Sequence, residues 1–370
     1  MNNDRLGLGV IGCGVIANLM YLPLVNRKIH GCMVELAAVS DNVAEKAAAA
    51  AQAFDARACY SDYRDLLAVP GVEAVLITTN IASHAEIALA AAAAGKHVLV
   101  QKPLAETTAE ADAVIAEAQR AGVKLQVEPS HMLSPLCARA RDVIASGALG
   151  TISSVEARAT HSGADDRPWL FTRAGGGSVM LDMGVHALTW AASLAGPVGR
   201  VAAFTRTTVP TRTINGQAHD VDIDDNVALL LEFESGALGN IVANYTTIAD
   251  QAPQYSVYGT EGTIHVGAPG SPFQLYVHKE QYGGSQGWLS PTLFRGHKAR
   301  PVTETTPYEA HGVQPDTSLG HFVECILEDR EPVPGGEFAR HVLEIMVKGA
   351  EAGRTGVAQQ ISSTFKPLAG

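Results

Sequence analysis

Apolar residues recur along this chain in two rhythms, and the rhythm changes near residue 128. Before that point, residues 6–12 (LGLGVIG), 34–40 (VELAAVS), 74–79 (AVLITT), 97–100 (HVLV) and 124–127 (KLQV) form short, nearly continuous apolar runs. Runs of this kind read as strands buried on both faces. Between them, segments with helical spacing begin at about Val15 and cover 44–54, 63–67, 83–94 and 109–121, with Gly95 placed to cap the helix over 83–94. Strands alternating with helices predict a parallel, doubly wound sheet covered on both faces. After a helix over 135–146 the texture changes, and strands follow one another at 152–160, 201–208, 226–234, 239–245, 255–259, 263–266 and 274–277. Several alternate polar and apolar residues, and hairpin turns fall at 235–237 and 261–262. This predicts an α+β second domain with a large, mainly antiparallel open sheet. Residues 267–315, polar and rich in Gly, Pro and His, read as loops, and helices over 317–328 and 337–352 close the chain. The expected domains are 1–128 and 129–370, with no internal repeat.

One helical stretch breaks its own pattern. Residues 178–195 (SVMLDMGVHALTWAASLA) are apolar almost throughout, yet hold Asp182 and His186 four positions apart. At about 3.6 residues per turn these two share a face. A helix apolar all round is expected to be buried, where a lone carboxylate is costly. Two readings stand: a satisfied structural pair, or an Asp that orients a proton-moving imidazole.

Composition narrows the class of partner. The 370 residues suit two domains, and 46% apolar with 18% charged residues is the balance of a globular protein. A formal charge of −11 argues against nucleic acid or anionic membrane surfaces as partners. The five cysteines (Cys13, Cys32, Cys59, Cys137, Cys325) are scattered without CxxC or Cys/His clusters, so reduced thiols, no zinc or other metal site and a cytoplasmic location are expected. No signal-peptide pattern precedes the first strand, and no apolar run reaches the ~18 residues of a membrane span.

Candidate chemistry clusters at the ends of the early strands. Gly12-Cys13-Gly14-Val15-Ile16-Ala17 is a G-x-G-x-x-A between a strand and a helix. The first Gly permits the tight turn, the second admits a pyrophosphate to the backbone, and small Ala17 lets the helix pack close. Asp41, ending the second strand, is suited to the adenosine ribose hydroxyls and repels a 2′-phosphate, so NAD is favoured over NADP; alternatively it caps the next helix. Gln101, Lys102 and Pro103 follow the strand HVLV, where an ammonium can polarise a substrate oxygen, though taken alone a solvated loop lysine is the better reading. Thr78, Thr79, Asn80 and His84 follow another strand and are candidates for the nicotinamide side, with a surface helix position as the alternative for His84. The first domain is thus expected to be a Rossmann unit.

These motifs together, GCGVIA, TTN…H, VLVQKPLA and LDMGVHAL, resemble in order and spacing the Gfo/Idh/MocA family of oxidoreductases, and the closing HFVECILEDREPVPGGEFARHVLEIMVKGAEAGRTG is similar to its C-terminal segment. The resemblance implies a Rossmann domain joined to an α/β domain whose open sheet often serves oligomerisation, here as homodimer or homotetramer. It implies His186 as general base, Asp182 as its orienting partner and Lys102 as the group polarising the substrate oxygen. Gln101 departs from the family's usual Glu, and Glu128-Pro129-Ser130-His131 departs from an Arg-containing segment. Glu128 and His131, with Arg158 and the loop residues Arg167 and Trp169 (loop 161–173), are therefore candidates for substrate recognition beside Asp182 and His186. For the loop, a surface segment whose Trp packs on the core is the alternative reading.

The expected function is an NAD-dependent dehydrogenase of a secondary hydroxyl in a sugar, sugar derivative or cyclitol. Two rivals stand beside it, the first served by the same residues and the second argued against by the intact set Lys102, Asp182 and His186. One is a glycoside hydrolase or lyase that retains NAD and works by transient oxidation and elimination. The other is a catalytically silent NAD-binding regulator.

Overall fold

A computed structural model of the chain describes residues 5–163, 167–268, 271–277, 287–289 and 315–367. By its internal contacts the chain divides into two compact units, Met1–Ser130 with Gln314–Leu343 and His131–Val313 with Glu344–Gly370.

The first unit is built on β1 (Arg5–Ile11), β2 (Arg27–Ile29), β3 (Cys32–Ser40), β4 (Cys59–Tyr60), β5 (Ala74–Ile77), β6 (His97–Val100) and β7 (Leu125–Val127). They form one sheet in the order β2-β3-β1-β5-β6-β7, with β4 beside β3. All pairs are parallel except β2 with β3. Every residue of β5 is buried, as are the last four of β1, which is why these strands carry no polar/apolar alternation in the sequence. Helices α1 (Ala44–Phe54), α2 (Tyr63–Leu67), α3 (His84–Ala93) and α4 (Thr108–Ala121) connect the strands. α4 begins with a capping box, Thr107 and Glu110 satisfying each other's backbone N–H, and ends at Gly122 in the left-handed region (φ 66°).

Two features of this unit lie outside the sequence reading. The segment after Gly14 is not a regular α-helix: a π turn covers Ala17–Tyr21 and a 3-10 turn Leu22–Leu24, where Pro23 offers no N–H to carry a helix on. And the chain returns late, for α7 (Pro315–Leu327) sets Leu319, Phe322, Val323 and Ile326 into the core formed by Leu8, Val10, Tyr21 and Leu36. A boundary at 128 leaves that return segment out.

The second unit is described by α5 (Pro135–Ala145), α6 (Val185–Ala195) and the strands β8 (Ile152–Thr160), β9 (Val198–Arg206), β10 (Thr211–Ile214), β11 (Gln217–Asp220), β12 (Asn226–Phe233), β13 (Leu238–Asn244), β14 (Tyr255–Gly259), β15 (Gly262–Ala268), β16 (Ser271–Val277), β17 (Gly287–Leu289) and β18 (Gln359–Gln360). Its main sheet runs β17-β16-β15-β14-β8-β13-β12-β9-β18, and among the described residues only the β8–β13 pair is parallel. β12 alternates strictly, with Val227, Leu229, Leu231 and Phe233 buried and Ala228, Leu230 and Glu232 exposed, so one face packs and the other is bare. α8 (Gly336–Thr355) begins in the first unit and ends in the second.

The expected architecture, a parallel Rossmann sheet followed by a mainly antiparallel one, is the observed one. Several details differ. The hairpin β10–β11 was not anticipated, although its turn is Asn215-Gly216 with both residues at positive φ (51° and 76°), the sequence signature of a type I′ turn. Residues 267–315 are not all loop, since β15 runs on to Ala268, β16 and β17 follow and Pro315 opens α7; the remainder of that stretch lies outside the described residues. Finally, 178–195 is not one α-helix. A π turn covers Met180–Gly184, with the Val185 N–H reaching Met180 O, and α6 continues from it.

Candidate active site

The carboxyl end of β1 is shaped for close approach. Gly12 has φ +95°, and a Cβ there would stand 2.8 Å from the backbone C of Thr78 and N of Thr79. Only glycine fits that turn. At Gly14 a Cβ would meet nothing within 4 Å, so the space over its backbone is open. The Asn18 side chain ties the turn by donating to Cys13 O (2.8 Å) and Gly14 O (2.9 Å), while Thr78 Oγ1 donates to Gly12 O (2.6 Å). Val15 is exposed and Ile16 half-buried beyond it. Asp41 stands beside this turn: its Oδ2 accepts from the Cys13 N–H (2.8 Å) and its Oδ1 from the Val43 N–H (2.9 Å). Asp41 does not cap α1, whose N-cap position is Val43 without a side-chain bond; its carboxylate instead holds the G-x-G turn and the turn into Val43. Burial first, then the Asp41 charge, pushes the Cys13 thiol up to about 12, so the sulfur in this motif is an inert packing group. A tight glycine turn, an open backbone and a carboxylate at the adjoining strand end fit a dinucleotide.

Thr79 and Asn80 follow β5, half-buried and exposed. His84 is buried, not on a surface, and its ring bridges two loops: Nδ1 lies 2.7 Å from Pro103 O and Nε2 3.1 Å from Thr79 O. It thereby ties the loop carrying Lys102 to the end of β5. Burial lowers its pKa, and the two carbonyls act in the opposite direction. Gln101 and Lys102 are half-buried at the end of β6. Glu128, expected at the substrate, is 4% exposed and bonded inside the first unit, with Tyr21 OH (2.8 Å) and Ser318 Oγ donating to Oε1 and the Ser130 N–H (2.7 Å) to Oε2.

In the second unit the structure brings His131 and His186 together, His131 Nε2 lying 2.8 Å from His186 Nδ1 with the rings edge to face. His131 is fully buried, whereas His186 and Asp182 are half-buried. Asp182 Oδ2 accepts the Tyr245 hydroxyl at 2.7 Å. Burial, then the Asp182 charge, pushes the Tyr245 hydroxyl well above its usual range, so it remains a donor. Tyr245 is itself framed by Phe171 at 5.5 Å and by Arg212, whose Nη2 donates to Tyr245 O (2.6 Å). Buried Asp225 accepts from the Thr208 and Val209 N–H groups (2.7 and 2.9 Å) and pairs with Arg212.

The other expected substrate residues are placed differently. Arg158 stands opposite buried Ala157 and Ala159 on β8 and pairs with Asp250 at 2.9 Å, whereas Gly184 backs onto Ala243 on the packed face. Arg167 is half-buried and Trp169 is 45% exposed at the start of a 3-10 turn. Sequence reasoning missed Tyr245, Tyr21, Arg212 and Ser318. No local motif marks any of them.

With this geometry in place, comparison with known proteins is decisive. A pattern described as the oxidoreductase family, NAD-binding Rossmann fold, matches residues 6–129, and one for the GFO/IDH/MocA C-terminal domain matches residues 137–265. The chain is 31% identical over 292 residues to the levoglucosan dehydrogenase of Pseudarthrobacter phenanthrenivorans, covering 70% of this chain and 73% of that one. The chain belongs to the Gfo/Idh/MocA family of oxidoreductases. Another relative, the D-xylose 1-dehydrogenase (NADP(+)) 2 of Haloferax volcanii, is 32% identical over 258 residues, which is 69% of this chain and 74% of that protein. A solved levoglucosan dehydrogenase in complex with NADH shares the fold, with a TM-score of 0.82 at 24% identity over 97% of this chain and 100% of that one. No helix among the described residues is long and apolar enough to cross a membrane.

Proposed function

We propose that this oxidoreductase is an NAD-dependent dehydrogenase that reversibly oxidises a secondary hydroxyl of a sugar, sugar derivative or cyclitol. The observation that carries the reading is the half-buried His186 braced by His131, four residues from a carboxylate that Tyr245 holds in place. With Nδ1 of His186 committed to His131, Nε2 is the nitrogen that takes the substrate proton. Asp182 favours the imidazolium that results, and the Tyr245 hydroxyl keeps that carboxylate oriented. Lys102 takes the role of hydrogen-bonding the substrate oxygen as charge develops on it. Bound nicotinamide supplies the hydride acceptor, and Gly12, Gly14, Val15, Ile16, Asp41, Thr79, Asn80 and Gln101 are the residues to hold the cofactor, with His84 keeping their loops in register. Asp41 favours NAD in this reading, and the relative named for NADP makes that preference a point to measure.

Sugars as the substrate class are supported by the relatives' names, levoglucosan and D-xylose dehydrogenases. The exposed Phe204, Leu230 and Leu238, neighbours on the bare face of the second sheet, support a homo-oligomer through that face. The test is a panel of monosaccharides, anhydrosugars, glycosides and inositols incubated with NAD or NADP, followed at the NADH wavelength. Stoichiometric NADH on one substrate class is the expected result. Glycoside cleavage without net NADH, or no turnover with any of them, would contradict the dehydrogenase reading.

A further inference from the structure

Gln101 and Glu128 look unrelated in the sequence, yet one buried side chain joins them. Gln101 Nε2 donates to the Tyr21 hydroxyl oxygen at 2.8 Å, and that hydroxyl donates to Glu128 Oε1, also at 2.8 Å. Tyr21 is 1% exposed and Glu128 4%. The direction of this chain is fixed by proton count. The carboxylate only accepts, and it is held by the Ser318 hydroxyl and the Ser130 N–H as well. Tyr21 has one proton, and burial together with the Glu128 charge pushes its pKa well up, so the proton stays on the phenol and points at Glu128. The phenol oxygen can then only accept from Gln101. A flipped carboxamide would set two lone pairs against each other, so the amide nitrogen faces inward and the carbonyl oxygen is the free end. Among the described residues no hydrogen bond reaches Gln101 Oε1.

The Gln101 side chain is half-buried at the carboxyl end of β6, and its backbone N–H bonds Ile77 O (2.9 Å) at the end of β5, the strand adjoining the glycine turn. We infer that Tyr21 and Glu128 are positioning residues which lock the Gln101 carboxamide in one orientation, so that its carbonyl oxygen receives the carboxamide N–H of bound nicotinamide. This rests on the dehydrogenase reading in requiring that the cofactor bind. It also joins the two departures from the family pattern: a glutamate at 101 could not donate to Tyr21, and it would set a second negative charge two hydrogen bonds from Glu128. The carboxylate stands at 128 and the donor at 101 as halves of one arrangement.

The test is equilibrium binding of NADH and of reduced 3-acetylpyridine adenine dinucleotide, which keeps the ring carbonyl but lacks the N–H donor. Wild type, Tyr21→Phe and Gln101→Met are titrated by fluorescence, with a thermal melt of each. Wild type is expected to prefer NADH by about tenfold, the scale of one well-placed hydrogen bond. In both variants the NADH-to-analogue affinity ratio falls to near one, and in the double variant it falls no further than in either single one. A purely structural role for Tyr21 would weaken both ligands equally and leave the ratio unchanged, which would overturn the inference. Gln101→Met sits at a half-exposed site and remains decisive if Tyr21→Phe does not fold: an unchanged ratio in it also overturns the inference. Failure of the wild type to bind NADH at all would instead contradict the dehydrogenase reading.

Discussion

The proposed cofactor cradle and the proposed proton-handling group are held by different kinds of contact. In the first unit, Gly12, Cys13 and Gly14 are set by Asn18 a few residues on and by Asp41 and Thr78 at the ends of the two strands that flank β1. The supports are backbone geometry and short spacings, and the pattern G-x-G-x-x-A states them directly. In the second unit, His186 is braced by a residue 55 positions earlier and Asp182 by one 63 positions later. No pattern along the chain states those supports. A site that must meet a nearly invariant ligand can be encoded in a loop, whereas one that must set the basicity of an imidazole is encoded in tertiary contacts.

The largest effect that would sharpen this contrast is expected at Gly12. Gly12→Val places a Cβ against the Thr78–Thr79 backbone at positive φ, and NADH affinity should fall by about 100-fold or more, read by fluorescence titration. An unaltered affinity would mean the cradle does not depend on that turn. Next is Tyr245→Phe, which deletes one hydrogen bond to a carboxylate without touching the helix. kcat should fall about tenfold with KM for the sugar little changed, since a charged hydrogen bond is worth about 1.5–3 kcal/mol. If kcat is untouched, the second unit's chemistry does not reach beyond the helix itself. Asp41→Ala is expected to move the NAD/NADP ratio of kcat/KM by several-fold toward NADP; a constant ratio would reduce Asp41 to the start of a turn.

The smallest effect concerns stability. Burial opposes ionisation of Glu344, but the Ser362 N–H and hydroxyl and the Ser363 N–H outweigh it and hold this carboxyl at about 2, below its usual 4.5. A depressed carboxyl contributes stability that is complete above the unfolded value and is lost as pH falls through the folded one. The Tm of wild type should therefore drop more steeply between pH 4.5 and about 2 than that of Glu344→Gln, which starts lower at neutral pH. Parallel acid slopes for the two proteins would remove Glu344 from the account.

The same contrast explains what was legible in the sequence. The strand runs of the first unit stand out because both faces are buried, and Asp182 and His186 stand out because an ionisable pair is foreign to an apolar helix. The return of α7 into the first core was not legible, since an amphipathic helix does not say which core it joins. The Asn215-Gly216 hairpin is legible by its turn chemistry alone. Tyr21 and Tyr245 were out of reach for a physical reason. A tyrosine in a core has the pattern of any large apolar residue, and only the partner of its hydroxyl, distant in sequence, distinguishes it.

The most direct test of the central claim is turnover of His186→Ala on the substrate found in the panel, with NADH binding measured on the same preparation. Loss of the general base should lower kcat by at least ~100-fold while NADH affinity stays at the wild-type value. Turnover within a few-fold of wild type would contradict it, and the proton would then have to be taken by a group other than the imidazole that His131 braces.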